Sequence, residues 1–181
     1  MADFAFKQPF DAFSQLLRTS PEAGNATFRA SSRQLDGLHS QVSIRDFTLN
    51  IDEPPSLAGT DKGPNPVELA LASLATCQEI TYRLYADALG IRIDGISVSL
   101  EGDLDLRGFF SVDQAVRPGF GAIRGTVEID SPESPETIDR LKRTVDRYCP
   151  VLDLLSNPTP VSLDVIRTAG RVERRTAEAV S

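Results

Sequence analysis

Two cysteines are the residues of this 181-residue chain whose type and setting single them out as possible reagents. Cys77 stands in "LASLATCQEI", residues 71–80, among small and aliphatic side chains. One helical turn away it would meet Ser73, Leu74, Ile80 and Thr81. A free cysteine in that company is either a small core hydrophobe or a reactive thiol, and the local sequence leaves both readings open. Cys149 stands in "YCPVLD", directly before Pro150. This spacing predicts an N-cap position with proline opening the next helical turn, so that backbone N–H groups and the positive helix end face the sulfur. Such a setting lowers a thiol pKa.

Magnitudes limit what a helix end can do. A thiol with a pKa near about 8.5 is only a few per cent thiolate at neutral pH, and lowering it by two units takes roughly 2.7 kcal/mol. A helix terminus typically supplies about 0.3–1 kcal/mol of this. A nucleophilic cysteine here therefore needs a cation, and the candidates are His39 and Arg45, both ahead of the Pro-Gly loop at 53–66. His39 is the single histidine, so a Cys–His or Ser–His nucleophile pair exists only if His39 is the base. No clustered Cys/His/carboxylate spacing suggests a metal site.

Composition narrows the function class. The net charge of −7 disfavours a nucleic-acid partner, which needs a basic face. The mixed-sign stretch "RTAGRVERRTAEA" reads as a solvated tail. No apolar run is long enough to span a membrane. The N-terminus lacks the basic and apolar regions of a secretory signal, so a cytoplasmic location is expected. In that reducing compartment, two cysteines do not make a disulfide scaffold.

The elements that must position these residues are legible as an α+β order rather than a regular βαβ array. Three segments are expected: an accessory N-terminal helix within residues 1–24, a main domain at 25–167 and a polar tail at 168–181. In the first, "PFDAFSQLLR" puts Phe10, Phe13, Leu16 and Leu17 on one face, with Pro9 suited to the first helical position. Residues 26–53 alternate as strands around "DG", with a phase slip at Arg45–Asp46 that predicts a turn or bulge. The best helix signal runs from Pro66 to Leu89: Asn65 is a suitable N-cap, Glu68 sits at N3 and Gly90 follows as a stop. Its first half is apolar on nearly all sides, which requires a second cover, and a partner subunit is the economical one. Strands are expected at 91–101, within "LDLRGFFSVDQAVRPG", at 120–130 and at 159–167, and helices from near Pro135 and in "CPVLDLLSN".

The segments "DEPPSLAGTDKGPNPVELALASLATC" and "YCPVLDLLSNPTPV" resemble the OsmC/Ohr family, in its broad OsmC-like branch. The resemblance spans about residues 26–167. It implies antiparallel sheets wrapped around a long central helix, an intertwined homodimer, and two sites at the dimer interface. It also implies thiol peroxidase activity on small organic hydroperoxides, with Cys77 as the attacking thiol and Cys149 as its disulfide partner. An external dithiol of lipoyl type would restore both thiols, with no metal, haem or flavin. The family's best-studied members carry a glutamate where this chain has Val67, with Glu68 one step on. Glu68 is therefore either a site carboxylate or the capping partner of Asn65. His39 lies near where some relatives carry an active-site arginine, and Arg45 is six residues further. The alternative on the same fold is a non-catalytic or weakly active ligand-binding or redox-sensing dimer.

Overall fold

The structure, a computed structural model, describes residues 4–167. The expected polar tail at 168–181 lies outside the described residues. The N-terminal helix α1 covers Lys7–Thr19, starting two residues earlier than Pro9 suggests. The earlier start has a polar cause. The Phe6 N–H donates to the buried Asp87 carboxylate at 3.0 Å, which anchors the first turn of α1.

Three strands follow, β1 (Ser31–Asp36), β2 (His39–Ile44) and β3 (Phe47–Ile51), paired antiparallel in that order. The slip at Arg45–Asp46 is a two-residue hairpin turn between the paired Ile44 and Phe47, with Arg45 in the left-handed region at φ 54°. Among the described residues this sheet makes no extensive packing with any other element. Leu38 and Phe47 remain exposed on it.

The loop from Asp52 to Asn65 is organised around one buried carboxylate. Asp52 accepts from the Thr60 hydroxyl at 2.6 Å and from the N–H groups of Glu53, Thr60 and Lys62 at 2.8, 3.1 and 3.2 Å. Gly59 lets the loop close: a Cβ there would lie 1.8 Å from the Glu53 carbonyl oxygen. The Thr60 hydroxyl, opposed by burial and helped by the three backbone donors, holds the Asp52 carboxyl down at about 2, against an ordinary 3.8. Because the folded value is depressed, its stabilising effect is complete above the ordinary value and is lost as pH falls towards about 2. An NMR titration of the Thr60 and Lys62 amides should report loop opening in that acid window and none in Asp52→Asn. A midpoint at or above the ordinary carboxylate value would contradict it.

Helix α2 runs Pro66–Leu89 with the capping box in place. The Asn65 side chain accepts from the Glu68 N–H, and the Glu68 carboxylate accepts from the Asn65 N–H, both at 2.8 Å. Gly90 ends it in the left-handed conformation at φ 68°. The chain then leaves as a helix exit, not as the strand expected from residue 91. The Ile91 N–H bonds to the Ala86 carbonyl, and Ile91 and Ile93 are buried in the core. Strand β4 begins at Gly95 and ends at Leu104, and pairs antiparallel with β5 (Phe120–Asp130). Between them, Asp105 caps a short helix α3 (Leu106–Phe109), where the sequence suggested a strand running into a loop. An aspartate that accepts from the N–H two residues on favours helix initiation over strand extension.

Helices α4 (Pro135–Tyr148) and α5 (Pro150–Ser156) meet at Cys149. The apolar stripe of α4 drives the fold: Leu141 and Val145 are completely buried with Tyr82, Ala86, Ile91, Ile93 and Cys149. The β4–β5 pair and α4 both pack on α2. Residues 159–167, expected as a closing strand, form no strand here. Val161, Leu163 and Val165 are largely exposed, because no strand edge among the described residues meets the segment. The α+β architecture with small antiparallel sheets and a long helix is as expected. No helix among the described residues is long and apolar enough to cross a membrane.

Candidate active site

The fold brings the two thiols together. Cys77 projects from the middle of α2, and Cys149 forms the joint between α4 and α5. Their sulfurs lie 3.3 Å apart, and both are free. A disulfide needs about 2.05 Å, so the pair is one small displacement from bonding. The joint holds its place through backbone bonds on both sides. The Cys149 N–H donates to Val145 O at 2.9 Å, and the Cys149 carbonyl accepts from the Asp153 N–H at 3.1 Å. Cys149 is buried at 1% exposure while Cys77 is half-buried, so Cys77 is the sulfur a small reagent can reach.

The helix-end donor acts on the other sulfur from the one the "CP" motif suggests. Pro150 has no N–H, and the Cys149 side chain takes no capping hydrogen bond. The next amide, that of Val151, favours the thiolate of Cys77 instead. Burial pushes the Cys77 thiol up, the neighbouring Cys149 adds to this, and the Val151 N–H and Thr81 hydroxyl partly oppose it. Burial prevails, and the thiol stays above its ordinary value. Thr81 helps little because its proton is already donated to the Cys77 carbonyl at 2.7 Å. Among the described residues, no cation is among the groups that act on this sulfur. The role of the Val151 amide was foreshadowed by proline at N1, which makes the following N–H the first available donor.

The other expected residues sit elsewhere in this chain. Glu68 is exposed and bonded to the Asn65 backbone at the start of α2. It lies nine residues from Cys77, or roughly 13 Å at about 1.5 Å per residue. His39 shares a 3.2 Å hydrogen bond with the Asn50 side chain on the three-stranded sheet. Arg45 lies over the Phe47 ring, 5.1 Å from its centroid, at the exposed turn of the same sheet. Asn65→Ala is expected to cost about 1 kcal/mol of stability through the lost cap. Chemical denaturation measures this.

A groove of about 850 Å³ opens along α2, between β5 and the helices α4 and α5. Val67 and Leu74 of α2, Ile123 and Val127 of β5, and Leu152 and Leu155 of α5 line it. Neither cysteine lines it, and Arg117, Arg124, Asp139, Lys142 and Asp146 put charge among those apolar side chains.

The sequence model for OsmC-like protein matches residues 59–164, a stretch that contains α2 to α5 and both cysteines. This chain belongs to the OsmC-like protein family. Solved structures agree on the OsmC-like fold. An OsmC-like protein from Mycoplasma pneumoniae superimposes with a TM-score of 0.64 at 22% identity, over 73% of this chain and 89% of that one. An organic hydroperoxide resistance protein OsmC from Legionella pneumophila gives 0.57 at 21%, over 72% and 89%. A putative organic hydroperoxide resistance protein from Vibrio cholerae, with captopril bound in one of its active sites, gives 0.54 at 18%, over 73% and 87%. At these identities the likeness is one of OsmC-like fold. No curated protein matches the chain.

Proposed function

We propose that this OsmC-like chain is a thiol-dependent peroxidase that reduces organic hydroperoxides through Cys77 and Cys149. The observation that supports this most is the approach of two free sulfurs to 3.3 Å across 72 residues of sequence, with one of them reachable and the other buried. The Cys77 thiolate attacks the distal oxygen of ROOH. An S–O bond forms, the O–O bond breaks, and RO⁻ leaves as the alcohol after taking up a proton. The resulting sulfenic acid meets the Cys149 thiol. The S–S bond forms, and the sulfenic oxygen leaves as water. An external dithiol, of the lipoyl type that the family resemblance implies, returns two electrons and restores both thiols. Glu68, His39 and Arg45 are proposed as supporting groups. Since none of them acts on Cys77 within one chain, a second copy must bring any of them to it.

A homodimer fits the uncovered surfaces. The groove beside α2, the exposed Leu38 and Phe47 of the three-stranded sheet, and the unpaired 159–167 segment all lack cover in the single chain. The experiment is consumption of cumene hydroperoxide with dihydrolipoamide as reductant, together with light scattering for mass. Multiple turnovers by a dimer are expected, and no turnover by wild-type protein would sink the peroxidase reading.

The second reading is a redox-sensing or weakly active dimer. The upward shift of the Cys77 thiol favours it, because a protonated thiol reacts slowly. In that case one equivalent of peroxide yields one Cys77–Cys149 disulfide, and no dithiol sustains turnover.

A further inference from the structure

We propose that α1 is a positioning element for the disulfide step: Phe10, acting through Tyr85 and Tyr148, holds Cys149 within reach of Cys77. The inference rests on the thiol reading above and adds residues to it. The three rings form a column. Phe10 meets Tyr85 edge-on, with centroids 5.3 Å apart and planes at 67°. Tyr85 stacks on Tyr148 at 5.5 Å and 16°. Tyr148 is the last residue of α4 and directly precedes Cys149. The column thus runs from the N-terminal helix, across the face of α2, to the joint that carries the buried sulfur.

The docking of α1 is specific although it buries little. The Phe6 N–H reaches Asp87, and the Lys7 ammonium reaches the Ala88 carbonyl at 3.3 Å. A carboxylate thus faces the N-terminus of α1 and an ammonium faces the C-terminus of α2, both the favourable sign. One turn further on, this places Phe10 over Tyr85. No residue of α1 is fully buried, and Phe13 remains 66% exposed. A helix so lightly buried adds little to the core, yet its aromatic contact falls on Tyr85, the ring stacked on Tyr148 beside the Cys149 joint. Cys149 itself is extended, at φ −73° and ψ 113°, between two helices. Tilting α4 against α5 there moves its sulfur, and the Tyr148 stack opposes that tilt.

The test uses the full chain equilibrated with glutathione. Protein dithiol and glutathione disulfide exchange for protein disulfide and two glutathione thiols. Phe10→Ala should lower the equilibrium constant for the intramolecular disulfide about tenfold, making it about 30 mV easier to reduce. The thermal unfolding temperature of the reduced protein should barely move, and Phe10→Tyr, which keeps a ring, should restore the wild-type constant. In the Cys77→Ser background, Phe10→Ala should speed alkylation of Cys149 by iodoacetamide severalfold. A wild-type constant in Phe10→Ala, or an unchanged alkylation rate, overturns the proposal. A wild type that forms no disulfide overturns it together with the thiol reading. A disulfide that forms normally without peroxide turnover sinks only the peroxidase activity.

Discussion

Cys77→Ser is expected to abolish hydroperoxide consumption, with a fall on the order of a thousandfold or more, as is usual when the nucleophile itself is removed. Serine matches the shape but cannot take up the peroxide oxygen and pass it to a second thiol. Cys149→Ser should behave differently. It keeps the first step, consumes one equivalent of peroxide, and stalls with Cys77 as a sulfenic acid, visible as a mass gain of one oxygen atom. The contrast follows from the geometry, since Cys77 is the half-buried sulfur and Cys149 the enclosed one. The first step should also depend on pH. Burial holds the Cys77 thiol above its ordinary value, so the thiolate fraction, and with it the single-turnover rate, climbs as pH rises through and beyond neutrality. Equal turnover by Cys77→Ser and wild type would remove Cys77 from the mechanism. A rate that falls with rising pH would show that some other group attacks.

Leu141→Ala is expected to destabilise the fold by about 2–5 kcal/mol, the usual range for a fully buried leucine. Leu141 has no exposure and lies in the cluster that contains Val145, Tyr82 and Cys149. A loss of that size is a large fraction of the roughly 5–15 kcal/mol by which domains are stable. With a urea slope of about 1–3 kcal/mol per molar, the unfolding midpoint should fall by on the order of 1–3 M. The same substitution should loosen the Cys149 joint, because α4 is held on α2 by this stripe. A midpoint within about 0.2 M of wild type, on the same slopes, would show that the stripe is not what holds α4.

Much of this architecture could be read before any coordinates, where the signal was local. The ends of α2 follow directly from Asn65, Pro66, Glu68 and Gly90, and each plays the backbone role its type favours. Pro135 likewise marks the start of α4. The misreadings share a different cause. Ile91 and Ile93 alternate like a strand because both point into a core, and alternation records burial rather than hydrogen bonding. Residues 159–167 also alternate, but a strand needs a neighbouring edge, and the pattern says nothing about whose edge that is. At the site, the two reactive residue types were visible, yet the 3.3 Å approach depends on α4 packing across α2 and is not a local property. The Val151 amide shows the same limit: the motif identified a donor, and the tertiary fold decided which sulfur received it.

The placement of the thiols on a helix and on an interhelical joint 72 residues away has a mechanical consequence. Joining them would tie a loop across most of the core, and chain-entropy arguments put the resulting gain in stability at about 4 kcal/mol. Oxidation would then toughen the protein. A molecule that has just met peroxide would withstand heat and proteases longer than one at rest, and the reducing dithiol would return it to its softer form.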